Sequence, residues 1–216
     1  MSGVLRFGDS HRGGGRRVPA ARVVIVGGGV VGTQAATVCL GMQAEVSILD
    51  SSSRRLRQLH ELFGGRARTV MSDPVSVAAE TCEADAVIGA VLVPGAAAPK
   101  IIRAEHLPYL RPGSLLVDVA IDQGGCFETS HATTYDAPTY TVDGIVHYCV
   151  ANMPGAVPRT ATRALTNSTL PYLVRLADHG VMDALAADPF FGAGLNVRSG
   201  GICHSGVATA WEAGAS

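Results

Sequence analysis

Lysine is almost absent from this chain: Lys100 is the only one among 17 basic residues, and the rest are arginine. Charge of either sign is scarce, with 16% charged residues and a net charge of −1. That balance excludes broad binding to nucleic acid or to an anionic membrane surface. No apolar run reaches the roughly 18 residues of a membrane span. The first 17 residues carry no apolar core of the kind a secretory signal needs. The five cysteines, at 39, 82, 126, 149 and 203, are odd in number, form no CxxC pair and mostly lie in apolar runs. They read as reduced, mostly buried thiols of a cytoplasmic protein rather than a disulfide framework. The seven histidines show neither HxH nor HExxH spacing, so no metal site is expected.

Present in quantity are small and β-branched residues. Hydrophobic residues make up 47% and aromatics only 5%, with 26 glycines. This is the composition of parallel α/β packing, in which Val, Ile, Ala and Gly fill the core. Residues 1–20 hold a Gly/Arg cluster and read as a flexible lead-in. Apolar runs at 22–26, 45–49, 69–71, 85–90, 115–120 and 146–150 read as strands. Helical patterns lie between them at 30–42, 54–63 and 75–82, the last opened by Asp73 as a cap and Pro74 at its first position. Strands alternating with helices predict βαβ units and a doubly wound parallel sheet of the Rossmann type over residues 21–157. A long helical pattern runs from Thr160 to His179, closed by Gly180. Beyond Pro189 the chain is Gly-rich and weakly patterned, and residues 158–216 form a second segment.

The first strand runs into Gly27-Gly28-Gly29-Val30-Val31-Gly32, which fits G-x-G-x-x-G. The three motif glycines have separate physical roles. Gly27 turns the chain, Gly29 leaves room for a pyrophosphate, and Gly32 lets helix and sheet pack closely. The helix N-terminus that follows offers N–H groups to phosphates. Asp50 ends the second strand 18 residues after Gly32, where a carboxylate receives ribose hydroxyls. A carboxylate repels a 2′-phosphate, which favours NAD over NADP. Arg54 and Arg55 pull the other way, although they also fit the exposed face of a helix.

Three longer segments go beyond a generic cofactor fold: AVIGAVLVPGAAAPK (86–100), LLVDVAIDQGGCFE (115–128) and YCVANMPGAVP (148–158). With the later LTNSTLPYL and ADHG segments they strongly resemble bacterial alanine dehydrogenase, and more distantly the transhydrogenase α subunit. The resemblance implies reversible oxidative deamination of L-alanine by NAD to pyruvate and ammonium. By position, it places Val30 and Val31 at the pyrophosphate turn, Asp50 on the ribose, and Arg55 and Ser72 beside the adenosine. Val91 and Leu92 continue along the cofactor, and Val119, Ala120, Ile121 and Asp122 lie near the nicotinamide. Val150, Ala151, Asn152 and Met153 lie there too.

Asp122 is the expected catalytic residue: it follows an apolar strand and opens Asp-Gln-Gly-Gly, and a carboxylate there assists proton transfer. Asp118 and His147 read as strand residues with structural roles. His131 stands where relatives commonly carry an arginine that contacts cofactor. The family's substrate-binding arginine and lysine and its acid/base histidine belong to an N-terminal region with no counterpart in this sequence. His11 and Arg12 lack its context. Several readings stay open. The chain is an alanine dehydrogenase active only if the missing half comes from another chain; a non-catalytic NAD-binding module; a decayed fragment; or a transhydrogenase-like subunit. The partners the resemblance implies are a homo-oligomer or an N-terminal half.

Overall fold

The computed structural model describes residues 19–92 and 98–214. All but the end of the Gly/Arg lead-in, with His11 and Arg12, lies outside the described residues, as do positions 93–97 of the 86–100 segment. The described chain forms two compact units, one of residues up to Leu92 and from Ala98 to Ala151, the other from Asn152 onward.

The first unit begins β1 (Arg22–Val26), α1 (Val30–Gly41), β2 (Glu45–Asp50), α2 (Ser53–Phe63), β3 (Ala67–Met71) and α3 (Pro74–Thr81). It continues with β4 (Ala86–Gly89), β5 (Leu115–Asp118), β6 (Thr139–Val142) and β7 (Ile145–Tyr148). The sheet order is β3-β2-β1-β4-β5-β7-β6. All pairings are parallel except β6 with β7. This is the expected doubly wound sheet. The order reverses beside β1, so the crevice between the carboxyl ends of β1 and β4 is the switch point where such sheets bind ligands.

Side chains of β1 alternate between two cores, as a strand buried on both faces requires. Val23 and Ile25 pack with Ala36 of α1 and Leu59 and Phe63 of α2. Val24 and Val26 pack with Val77 of α3, Val87, Leu116 and Phe127. Asp73 caps α3 through the N–H groups of Val75 and Ser76, with Pro74 at its first position, as the sequence indicates. The antiparallel edge strand β6 was not expected. Its sign was the Asp143-Gly144 pair, both at positive φ (50° and 79°), in the form of a two-residue hairpin turn.

The second unit holds α4 (Pro158–His179), α5 (Val181–Ala187), α6 (Pro189–Gly192), a small hairpin of β8 (Val197–Arg198) and β9 (Gly201–Ile202), and α7 (Ser205–Gly214). The long helix ends at Gly180 as expected, whereas the weakly patterned tail is more ordered than its composition suggested. Asp188 caps α6 and pairs with Arg175 of α4 at 3.0 Å, and Tyr172 meets Phe191 with ring centroids 4.9 Å apart. No residue of α4 is buried, and Leu165, Leu170, Leu173 and Val174 are exposed on it.

Candidate nicotinamide-dinucleotide site

Most of the candidate residues converge on one edge of the sheet. Gly27–Gly32 follow β1, Asp50 ends β2, Ser72 follows β3, Val91 and Leu92 follow β4, Val119–Asp122 follow β5, and Val150 and Ala151 follow β7. Six parallel strands thus deliver their carboxyl ends to this edge. Asn152 and Met153 belong to the second unit, where Asn152 takes a left-handed conformation (φ 53°) before the 3₁₀ turn Met153–Ala156.

The glycine turn is tight at two of its glycines and open at the third. Gly27 has φ 101°, and a Cβ there would lie 2.6 Å from the Ala90 carbonyl oxygen, so only glycine suits this turn. A Cβ at Gly32 would collide with the Gly27 carbonyl, which fixes how closely α1 approaches β1. A Cβ at Gly29 would meet nothing within 4 Å, so the space above the turn is open. The first intrahelical bond of α1 runs from Thr33 N–H to the Gly29 carbonyl at 3.0 Å. The N–H groups of Val30, Val31 and Gly32 therefore precede the helix ladder, at the positive end of its dipole. No acidic side chain occupies that first turn.

Asp50 and Arg55 brace the turn from two sides. Gly28 N–H donates to Asp50 Oδ2 at 2.8 Å, and Ser52 N–H donates to Oδ1 at 2.8 Å. Each carboxylate oxygen keeps further acceptor capacity for a ligand hydroxyl. Arg55 Nε donates to the Gly28 carbonyl at 2.7 Å, and its Nη2 to Thr33 Oγ1 at 2.8 Å. Much of its donor set is thus committed to the turn, which residue spacing alone did not reveal. Arg54 beside it is exposed.

The end of β5 is built differently. Asp118 has no exposed surface. Its carboxylate accepts from the backbone N–H groups of Ala120 (3.1 Å), Cys126 (2.9 Å) and Phe127 (3.2 Å) and from Ser130 Oγ (2.6 Å). Asp122, exposed on the 3₁₀ turn Ile121–Gln123, rides on the loop that Asp118 gathers. Cys126 is buried against Asp118; desolvation first, and that negative neighbour second, push its thiol far above its ordinary range. The shift disfavours the thiolate there.

His147 is fully buried on β7, with Nε2 2.8 Å from Thr129 Oγ1 and Nδ1 3.1 Å from the Ile145 carbonyl. A carbonyl can only accept, so Nδ1 carries the proton and Nε2 accepts from the hydroxyl. Burial holds this imidazole below its ordinary range. His131 stacks on Tyr140 with centroids 3.6 Å apart, and its backbone N–H donates to the Tyr140 hydroxyl.

A hollow of about 780 Å³ lies at the amino ends of β1–β3, lined by Arg22, Glu45, Arg68 and Glu80. Those four side chains pair among themselves (Arg22 with Glu45, Arg68 with Glu80), and the hollow opens at the end of the strands opposite the glycine turn. The carboxyl edge remains the chemically equipped one. Among the described residues no cluster of three or more His, Cys, Asp or Glu is gathered for a metal ion, and no helix is long and apolar enough to cross a membrane. The five cysteines are unbridged, with Cys39, Cys126 and Cys149 buried.

Sheet, switch point, glycine turn and strand-end carboxylate define a Rossmann-type domain. The model of the family "Alanine dehydrogenase/PNT, C-terminal domain" matches residues 9–205. Alanine dehydrogenase from Halomonas elongata is 58% identical over 194 residues, 90% of this chain and 52% of that protein. Alanine dehydrogenase 2 from Staphylococcus aureus is 49% identical over 93% of this chain and 54% of its own length. A solved L-alanine dehydrogenase superposes with a TM-score of 0.79 at 49% identity, covering 89% of this chain and 53% of that one. A transhydrogenase from Sinorhizobium meliloti follows at 0.69 and 26%, covering 87% and 51%. The chain belongs to the alanine dehydrogenase/PNT family, and it spans about half the length of the relatives it matches.

Proposed function

We propose that these 216 residues bind NAD(H) along the carboxyl edge of the sheet and are the cofactor half of an L-alanine dehydrogenase. The observation that carries this reading is the open space above Gly29, bordered by the N-terminus of α1 and the Asp50 carboxylate. The pyrophosphate sits over Gly29, Val30 and Val31, and Asp50 accepts from the adenosine ribose. NAD is favoured over NADP because Asp50 repels a 2′-phosphate and Arg55 is already engaged with Gly28 and Thr33. Ser72, Val91, Leu92 and the residues 119–122 line the path toward the nicotinamide.

NAD supplies the hydride acceptor in alanine oxidation. Asp122 is the carboxylate of this chain best placed to take or return a proton at the substrate end. Clamping the substrate carboxylate needs a cation. The resemblance assigns that role, and the acid/base histidine, to a region that this sequence does not match. Turnover of alanine therefore requires residues outside these 216, and a reducing cytoplasmic setting suits the free thiols. A transhydrogenase-type role is weaker, since that relative stands at 26% identity against 49% for the solved L-alanine dehydrogenase.

The test pairs an NADH titration with NAD reduction by L-alanine, using the 216-residue chain alone and then mixed with the N-terminal half of a relative. NADH binding with turnover only on mixing supports a split or truncated enzyme, and binding without turnover in either case supports a binding module. Robust turnover by the chain alone overturns the assignment of the substrate clamp.

A further inference from the structure

The loop after β5 is held by two ionic side chains acting on opposite polarities of its backbone. On one side the buried Asp118 carboxylate collects the N–H groups of Ala120, Cys126 and Phe127. On the other, Lys100 Nζ donates to the carbonyls of Gly124 (2.5 Å), Gly125 (2.8 Å) and Phe127 (3.4 Å). An ammonium has three protons, and here three carbonyls face it. The segment that carries Lys100 also runs alongside the loop. Ala98 N–H donates to the Gln123 carbonyl, Ile101 N–H to that of Cys126, and Glu128 N–H to that of Ile102. Gly125 lies where the two charges come closest to one another through the backbone: its carbonyl meets Lys100, and a Cβ on it would come within 2.7 Å of Asp118 Oδ2. Asp122 is the exposed carboxylate at the head of this loop.

We propose that Lys100 and Asp118 form a positioning pair that presents Asp122 and residues 119–121 to the nicotinamide end of the cofactor. Lys100 acts here as a tethered monovalent cation for three carbonyls. It is the only lysine in the chain, so an amine-directed perturbation falls on this position and the N-terminus alone. The inference rests on the NAD-binding reading, and it separates the two ends of that site. The adenosine end depends on the glycine turn and Asp50, and the nicotinamide end depends on the loop that Lys100 closes.

The experiment compares the full chain with Lys100→Met and Lys100→Ala, titrating each with NADH and with ADP, which probes the adenosine end alone. Lys100 is exposed, so both variants are expected to fold. NADH affinity falls about tenfold or more, the scale of a lost charged hydrogen-bond set, and ADP affinity stays within about twofold. Millimolar n-propylammonium, which supplies the atoms that alanine lacks, restores NADH binding to Lys100→Ala, and n-propanol does not. Amide hydrogen exchange of the ligand-free proteins adds an independent reading: Lys100→Ala accelerates exchange at Cys126 and Phe127 and leaves β1–β3 protected. Equal losses for NADH and ADP, wild-type NADH affinity in both variants, or unchanged exchange across 119–130 overturns the proposal. A wild-type chain that fails to bind NADH refutes the functional reading instead, and the exchange result then decides whether the pair holds the loop.

Discussion

The turn after β1 and the loop after β5 lie on the same edge of the same sheet and are held by opposite means. The turn is stripped of side chains: Gly27 and Gly32 are fixed by close approach to backbone, and Gly29 borders open space. The loop is held by side chains, with Asp118 accepting from three of its N–H groups and Lys100 donating to three of its carbonyls. The difference follows from what each offers. The turn exposes backbone N–H groups, the arrangement a phosphate needs. An exposed carboxylate keeps one orientation only if its loop is tied, and here the buried Asp118 and the exposed Lys100 tie it.

The largest effect that sharpens this contrast is at Gly29. Gly29→Val leaves the fold intact, because its Cβ meets no neighbour within 4 Å, but it fills the space a pyrophosphate needs. NADH affinity is expected to fall about 1000-fold, or roughly 4 kcal/mol, with a melting temperature only a few degrees lower, since valine is a poorer N-cap than glycine. Calorimetry and circular dichroism together read this; retained affinity would place the cofactor elsewhere.

In the loop the same kind of change acts on stability. Gly125 has φ 74°, and an added Cβ would meet Asp118 Oδ2 at 2.7 Å and Ser130 Cβ at 3.0 Å. Gly124 has φ 86° and no neighbour within 4 Å. Gly125→Ala should cost roughly 2–4 kcal/mol and Gly124→Ala about 1–2, the excess being the clash with the buried carboxylate network. Urea midpoints compare them, and equal costs would show that Asp118 does not govern the loop.

Much of this edge is legible from residues alone. The glycine spacing, the acidic end of β2 and the Asp73-Pro74 helix start are local signals with one physical meaning each, and the structure places them accordingly. Arg55 bracing Gly28, and Lys100 reaching a loop more than twenty residues away, depend on which strands lie adjacent, and no local pattern carries that. Edge strand β6 escaped notice because Thr139–Val142 is short and half polar, although Asp143-Gly144 marked its turn.

A smaller effect is expected at Asp50. Asp50→Ala removes the repulsion of a 2′-phosphate, so the preference for NADH over NADPH should fall about tenfold or more, on the scale of one charged hydrogen bond. Paired titrations read the ratio; an unchanged ratio would shift cofactor choice to Arg54 or Arg55.

The smallest effect is the pH dependence set by His147. Its folded imidazole is held below the ordinary value of 6.5 by burial. Beneath that value the unfolded chain binds a proton that the folded one does not, so the stability from neutral, buried His147 is complete above about 6.5 and is lost as pH falls toward the folded value. Urea midpoints at about pH 5.5 and 7.5 should therefore differ more for the wild type than for His147→Gln. An equal pH response would mean that the Thr129–His147 contact tolerates a charged ring.

If the carboxyl edge of this sheet is an NAD(H) site selected by a carboxylate, calorimetric titration of the wild-type chain with NADH and then NADPH reads it out. Saturable, one-to-one NADH binding is expected, with NADPH binding at least about tenfold weaker. Absence of saturable NADH binding, or NADPH binding as tight as NADH, would contradict it.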